Sequence, residues 1–287
     1  MSSYSFGYRA RLWLLQNLTR MGPSSTQYED LEQLSWDALI ILDACRYDTL
    51  SEVTPWPINH TRSPASSTEE WISKMRRTDL FEGTHIVAGN VNYANFDLNF
   101  ESIHHVWDTK WNHRLGIVPP EPTLDQAAKL LDETDDPVIA HVMPPHAPYI
   151  GKAGDTWVPL MPDADIWQSK GPDSDVRKMS AGEAMAKGAV DIDKAKRSYR
   201  CSVNSTWETV LAYVSDWLSA GREVVVTADH GETFGRAREG FMYAHPSKCH
   251  IQPLVRVPLV HLTPSQNAAH TPDSVEEKLQ ALGYVTE

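Results

Sequence analysis

The chain has 287 residues, enough for one large domain or two small ones, and its apolar content of 41% is that of an ordinary globular protein. Its 26 lysines and arginines face 38 aspartates and glutamates, and the resulting formal charge of −12 argues against nucleic-acid binding, which relies on basic groups that displace counterions from phosphates. Three widely spaced cysteines argue against a disulfide scaffold and favour a reducing, cytoplasmic compartment.

Residues 1–34 are predicted to form a helical extension to a single catalytic domain at residues 35–287. Arg9 and Arg11 precede only four apolar residues, at 12–15, which is too few for a signal peptide. The longest apolar run, Ala38–Leu42, is too short to cross a membrane, so no transmembrane anchor is expected. The segment around the two arginines is interpreted as a short amphipathic helix, with contact to a membrane surface as the alternative.

Short apolar runs predict buried strands, and helically spaced apolar residues between them predict helices. The strands are expected at residues 38–42, 85–88, 138–143, 223–228 and 257–262, and the helices at residues 123–132, 199–218 and 274–284. Alternation of the two predicts an α/β fold, a doubly wound and mostly parallel sheet with helices on both faces. The stretch 151–188 is predicted to be a long surface loop near the active face.

Acidic residues follow two of the predicted strands. Asp43 comes directly after the strand at 38–42, and Asp229 and His230 come directly after the strand at 223–228. Ligands of open α/β sheets bind beyond the carboxyl ends of the strands, and carboxylate together with imidazole suits Zn²⁺, Mn²⁺ or iron. The alternatives are helix N-capping by Asp43 and an ordinary turn at residues 229–231. The pattern favours a metal site.

Histidines follow at or near the same edge. His146 lies in a proline-stiffened loop after the strand at 138–143 and is a candidate proton donor or anion contact. His245 is a candidate substrate contact or metal ligand, and Lys248 is a candidate substrate contact. For the two loop histidines the alternative is a solvated residue with no role. His141, inside the predicted strand, is interpreted as a core residue.

The hydroxyl run Ser66, Ser67 and Thr68 precedes two glutamates and a tryptophan, which predicts a helix start. Free N–H groups and the helix dipole stabilise anions at such a point, so a hydroxyl there suits a nucleophile that attacks a phosphate or sulfate ester. Simple N-capping by Ser67 or Thr68 is the alternative.

Taken in chain order, these motifs resemble the alkaline phosphatase superfamily, and within it the sulfatase-like branch, over residues 35–284. They are Asp43-x-x-Arg46-x-Asp48, the hydroxyl helix start, His146-Ala-Pro-Tyr149, Asp229-His230-Gly231-Glu232 and His245. The resemblance implies one divalent metal ion held by Asp43, Asp229, His230 and the oxygen of the nucleophile. In members of the superfamily with a Ser or Thr nucleophile, the metal lowers the pKa of that hydroxyl and a covalent intermediate forms.

The resemblance also assigns residues to roles. Ser66 is predicted as the nucleophile and metal ligand, with Ser67 and Thr68 as rivals one or two residues away. Arg46 matches the arginine after the first aspartate, and either anion binding in catalysis or a structural role is expected for it. Sulfatases carry Cys-x-Pro-x-Arg at the nucleophile, whereas this chain has Ser-Ser-Thr-Glu-Glu at residues 66–70. Phosphate esters are therefore favoured over sulfate esters.

The prediction is a metal-dependent hydrolase of phosphate or sulfate esters that acts on an anionic substrate through a covalent Ser/Thr intermediate. Among Mn, Zn, Mg and Ca, manganese or zinc is favoured because His230 is a ligand. The alternatives are a phospho- or sulfotransferase of the same superfamily and a catalytically idle, sulfatase-like binding protein. A metal-independent serine hydrolase is disfavoured because the chain has no Gly-x-Ser-x-Gly motif.

Overall fold

The computed structural model describes residues 5–19, 24–161 and 180–264. The helix predicted at 274–284 lies outside these residues, as does the middle of the stretch 151–188. The described ends of that stretch are not the featureless loop predicted, because they contain a β-hairpin and a short helix.

Strands of the described residues are β1 (Ala38–Leu42), β2 (Asn59–Arg62), β3 (His85–Ala88), β4 (Ser102–His105), β5 (Val138–Val142), β6 (Ile150–Ala153), β7 (Thr156–Pro159), β8 (Val224–Thr227) and β9 (Arg256–Leu262). The helices are α1 (Phe6–Thr19), α2 (Gln27–Glu32), α3 (Tyr47–Val53), α4 (Thr68–Met75), α5 (Val106–Lys110), α6 (Pro120–Glu133), α7 (Ala181–Ala186), α8 (Ile192–Ser219) and α9 (Gln252–Val255).

Seven strands form one sheet in the order β2-β9-β8-β1-β5-β3-β4, and β6 and β7 form a separate hairpin. The central strands pair in parallel, which confirms the predicted α/β class. Strand β9 departs from the parallel pattern, because it runs antiparallel to β8 and to β2. The 28 residues between β8 and β9 include only a three-residue 3₁₀ helix, Ala237–Glu239, and the four-residue helix α9, so the chain turns back at the edge where β8 ends instead of crossing over.

Helices cover both faces of the sheet, as the alternating pattern predicts. Side chains that alternate along β1 enter two different cores. Ile40 packs in the core that contains side chains of α6 and α8, whereas Leu39 and Ile41 pack in the core that contains Trp71 of α4. Because both faces are covered, β1 is apolar throughout and β8 is apolar up to its last residue, Thr227.

Candidate metal centre and active site

Two buried aspartates lie at the carboxyl ends of the neighbouring strands β1 and β8. The backbone N–H groups of Ala44 and His230 donate to Oδ1 of Asp229, at 3.1 and 2.8 Å. Ala44 can do so because its φ of 61° turns the chain sharply after Asp43. Oδ2 of Asp229 is buried and accepts no hydrogen bond. An uncompensated buried carboxylate oxygen is costly, which indicates a cation at this position.

His230 presents an unprotonated nitrogen to the two carboxylates. Its Nδ1 lies 2.8 Å from the carbonyl oxygen of Gly231, and because a carbonyl only accepts, Nδ1 carries the proton. Nε2 then has its lone pair directed at the carboxylates, 3.4 Å from Oδ2 of Asp229 and 3.6 Å from Oδ1 of Asp43. Burial, followed by the nearby His245, lowers the pKa of His230 to about 3, so the ring is neutral, the form that binds metals.

The hydroxyl that reaches this cluster belongs to Thr68. Its Oγ1 lies 3.2 Å from Nε2 of His230 and 3.3 Å from Oδ1 of Asp43. Thr68 is the first residue of α4, and the preceding Ser67 caps that helix by accepting from the N–H of Glu70. Thr68 is therefore free of the capping role, and its side chain lies among the buried polar groups.

The spacing of these four side chains fits a tetrahedral ion. Ligand atoms around a tetrahedral zinc lie about 3.4 Å apart, because each is about 2.1 Å from the metal. The four separations given above range from 3.2 to 3.6 Å. Asp43, Asp229 and His230 can thus hold a divalent metal with the Thr68 hydroxyl as a fourth ligand. Asn90 orients the site by donating from Nδ2 to Oδ2 of Asp43.

Ser66, the residue predicted as nucleophile and metal ligand, is engaged elsewhere. Its Oγ donates to the carbonyl of Pro246 at 2.9 Å and accepts from the N–H of Cys249 at 3.0 Å. Ser66 therefore fastens the start of α4 to the loop that carries His245. The extended backbone of Ser67 (φ −157°, ψ 154°) separates the directions of Ser66 and Thr68, and the geometry favours Thr68 as the reactive hydroxyl.

His146 and His245 lie beside the cluster. The ring centroid of His245 is 4.5 Å from that of His230 and 4.9 Å from that of His146. Both line a cavity of about 380 Å³ together with Glu232. Burial lowers the pKa of His245, but the charge of Glu232, whose Oε2 is 3.5 Å from Nδ1, more than offsets this and raises it. His146 has a pKa lowered to about 3, first by burial and then by His245.

The guanidinium of Arg46 is hydrogen-bonded to other protein groups. Nε donates to Asp48 at 2.7 Å, and Nη1 donates to Glu239 at 2.8 Å and to the carbonyl of Glu232 at 2.9 Å. Arg46 and Glu239 are buried. Because its donors are used to hold Asp48 of α3 and the loop after β8, the arrangement favours the structural alternative for Arg46 over anion binding.

Replacing Arg46 with methionine is expected to lower the free energy of unfolding by about 3–5 kcal/mol, because Glu239 is left buried and unpaired. Arg200→Met is the matched control, since Arg200 forms an exposed ion pair with Glu52 and its loss should cost less than about 1 kcal/mol. Denaturant unfolding measures both. Equal, small losses for the two variants would contradict the structural role of Arg46.

Lys248, predicted as a substrate contact, lies on the surface. Its side chain is exposed, and its backbone N–H donates to Oε2 of Glu70 at 3.1 Å. The positive φ of 61° at Lys248 belongs to the turn that brings this N–H to Glu70. The cavity beside the histidines is lined by other residues.

Asn90 and His141 are site residues that the sequence analysis did not identify. Asn90 follows β3 at the same edge, a signal that the strand-end rule offered. His141 is indeed in the core, but its Nε2 lies 3.8 Å from Oδ2 of Asp229 while its Nδ1 is 3.0 Å from the Tyr93 hydroxyl. The order of strands, which places β5 beside β1, is what brings His141 there.

Gly231 is required by the close approach of another segment. A Cβ at this position would lie 2.1 Å from the carbonyl oxygen of Pro253, at α9. Gly231→Ala is therefore expected to cost at least about 2 kcal/mol of stability and to lower Tm by roughly 4–8 °C. Gly7→Ala is the control, because nothing lies within 4 Å of that Cβ. A thermal scan in which both variants match the wild type would contradict this packing.

Comparison with known proteins places the fold. No family model matches the sequence, and a search of curated proteins found no match. Among solved structures, the chain is similar to lipooligosaccharide phosphoethanolamine transferase A from Neisseria meningitidis, with a TM-score of 0.53 and 12% identity over 87% of this chain and 52% of that one. It is also similar to the C-terminal periplasmic domain of EptC from Escherichia coli in complex with zinc. The TM-score is 0.51, and the identity is 12% over 86% of this chain and 78% of that one.

The chain thus shares the fold of these two structures, and a similarity at 12% identity concerns the fold alone. It spans about half the length of the Neisseria transferase.

Proposed function

We propose that this protein transfers a phosphoryl group from a phosphate ester through a covalent intermediate on Thr68, in a site that uses one divalent metal ion. The observation that carries the proposal is the convergence of the Thr68 hydroxyl with Asp43, Asp229 and His230 at ligand-like separations. A hydroxyl at a helix start beside a cation site is an activated nucleophile. The similarity to a phosphoethanolamine transferase supports the transferase alternative.

Zinc is the metal we propose, because two carboxylates, one neutral imidazole and one hydroxyl form a four-ligand set. When bound, the ion would lower the pKa of the Thr68 hydroxyl and neutralise charge on the ester oxygens.

The protein's own groups account for the remaining steps. Oγ1 of Thr68, once its proton has gone to solvent, bonds to phosphorus while the bond from phosphorus to the leaving oxygen breaks. His245, whose pKa is raised by Glu232, is positioned beside the cavity to donate a proton to that oxygen. Water or an alcohol then gives its proton to His245 and attacks phosphorus, and the bond from phosphorus to Oγ1 of Thr68 breaks. The cavity beside His146 and His245 is where the remainder of the ester would lie.

The first test measures metal content and turnover of three aryl substrates, a phosphate monoester, a phosphodiester and a sulfate ester, with wild type and Asp229→Ala. One metal per chain and turnover of a phosphate substrate, both lost in the variant, are expected. Turnover of the sulfate ester alone would mean that the substrate is a sulfate ester and not a phosphate ester. A folded wild type that binds no metal and cleaves none of the three would support a binding protein instead. Adding a primary alcohol and measuring its phosphorylated product separates transfer from hydrolysis.

A further inference from the structure

Helix α1 presents an apolar stripe to solvent. Phe6, Trp13, Leu14 and Leu18 are exposed, with Phe6 at 87% and Trp13 at 65%. Their spacings of seven, one and four residues place them on one face of the helix. Within the described ranges, the exposed large hydrophobic side chains are these four and Phe241. The ring of Phe241 lies close to α1, with its centroid 5.0 Å from the guanidinium of Arg11. The exposed apolar surface is thus concentrated at one place.

Basic residues border this stripe. At 100° of rotation per residue, Arg9 and Arg11 fall on opposite sides of the face that carries Trp13. Both arginines are exposed, in a chain whose formal charge is −12. An apolar face with tryptophan and leucine between arginines matches a helix that lies in the interface of an anionic membrane, where apolar side chains enter the acyl boundary and cations meet headgroup phosphates.

The opposite face of α1 is fixed to the loop that carries His245. Tyr8, Leu12 and Leu15 pack in a small core with Met242 and Leu254. Polar contacts add to this packing. Gln16 donates from Nε2 to the carbonyl of Ser247 at 2.8 Å, and the hydroxyl of Thr19 accepts from the N–H of His250 at 3.0 Å. The apolar stripe therefore belongs to a helix whose position is fixed by its other face, and the residues of the stripe are not part of that packing.

The same helix forms one wall of the active-site cavity. Tyr8, Arg9 and Leu12 line it opposite His146 and His245. The apolar stripe and the cavity are thus on adjoining faces of one helix, and a surface that binds the stripe lies next to the place where the ester enters.

We propose that α1 is an interfacial helix that docks the protein on an anionic lipid surface and thereby seats the active-site cavity beside that surface. The docking itself is independent of the reaction. The consequence for catalysis rests on the proposed function: esters presented at the surface are cleaved faster than the same ester in solution.

Flotation with vesicles tests the docking without any turnover. Full-length protein is mixed with vesicles of phosphatidylglycerol and phosphatidylcholine, or of phosphatidylcholine alone. We expect binding to the anionic vesicles that is at least about tenfold weaker for Trp13→Gln/Leu14→Gln/Leu18→Gln, because three apolar side chains no longer enter the bilayer. Arg9→Gln/Arg11→Gln should weaken binding to the anionic vesicles, with little effect on phosphatidylcholine.

A matched control replaces the exposed pair Lys129 and Glu133 of α6 by glutamine, which should leave flotation unchanged. Equal flotation of the triple variant and the wild type, or absence of the wild type from both vesicles, would overturn the proposal. A wild type that does not float and dimerises in solution, with a monomeric triple variant, would assign the stripe to a second copy instead. The triple variant should retain wild-type turnover of a water-soluble ester, which separates lost docking from lost catalysis.

Discussion

Thr68→Ala is expected to lower kcat for ester cleavage by at least about a thousandfold, because the group that forms the covalent bond to phosphorus is removed. The helix start should survive, since Ser67 and not Thr68 caps α4. Thr68→Ser is the conservative variant, and by keeping a hydroxyl at the same position it should retain activity within about tenfold of the wild type. Steady-state kinetics with saturating metal measures both.

Ser66→Ala separates the two hydroxyls. It should keep kcat near the wild-type value and lose about 1 kcal/mol of stability, because the N–H of Cys249 loses its acceptor. An inactive, folded Ser66→Ala together with an active Thr68→Ala would reverse the assignment and restore the prediction made from the sequence.

Asp229→Asn is expected to have opposite effects on stability with and without metal. Burial and then the charge of Asp229 raise the pKa of Asp43 well above its ordinary value. A carboxyl whose pKa is raised by folding destabilises the protein increasingly as pH rises above its unfolded pKa of about 3.9. At pH 7 the amide removes one of two facing charges. The Tm of the metal-free variant should therefore exceed that of the metal-free wild type, by roughly 2–4 °C for each kcal/mol of stability gained.

With metal the order should reverse. The wild type gains about 2.7 kcal/mol at a metal concentration one hundred times its Kd, and the variant, with a weakened site, gains less. Thermal scans with a chelator and then with zinc give both comparisons. Asp193→Asn is the control, because that carboxylate is 72% exposed and should change Tm little in either state. A variant less stable than the wild type in both states would contradict the electrostatic account of the cluster.

Much of the site was predictable because parallel strands converge at one edge. The apolar runs that became β1 and β8 were visible in the sequence, and each was followed by an acid, Asp43 or Asp229. A strand end fixes the position of the next residue to within a few ångströms, so His230 could be assigned as well. The direction of β9 was not predictable in this way, because antiparallel return depends on where the connecting chain packs.

Side-chain direction explains why the sequence pointed to Ser66 whereas the geometry favours Thr68. Ser66, Ser67 and Thr68 are chemically alike, and only the extended backbone at Ser67 decides which of them meets the sheet. Likewise, the sequence left both anion binding and a structural role open for Arg46, because its partner Glu239 lies 193 residues away. His141 reaches Asp229 through the order of the strands, which spacing along one chain does not encode.

The central claim, a covalent intermediate on Thr68 at the Asp43, Asp229 and His230 site, is tested most directly by mapping the adduct. The zinc-loaded protein is mixed with an aryl phosphate ester, quenched during turnover, digested and examined by mass spectrometry. We predict a phosphoryl adduct on Thr68, which moves to the serine oxygen in Thr68→Ser and is absent from Thr68→Ala. An adduct on Ser66 or on another residue, or steady turnover by Thr68→Ala, would contradict the account.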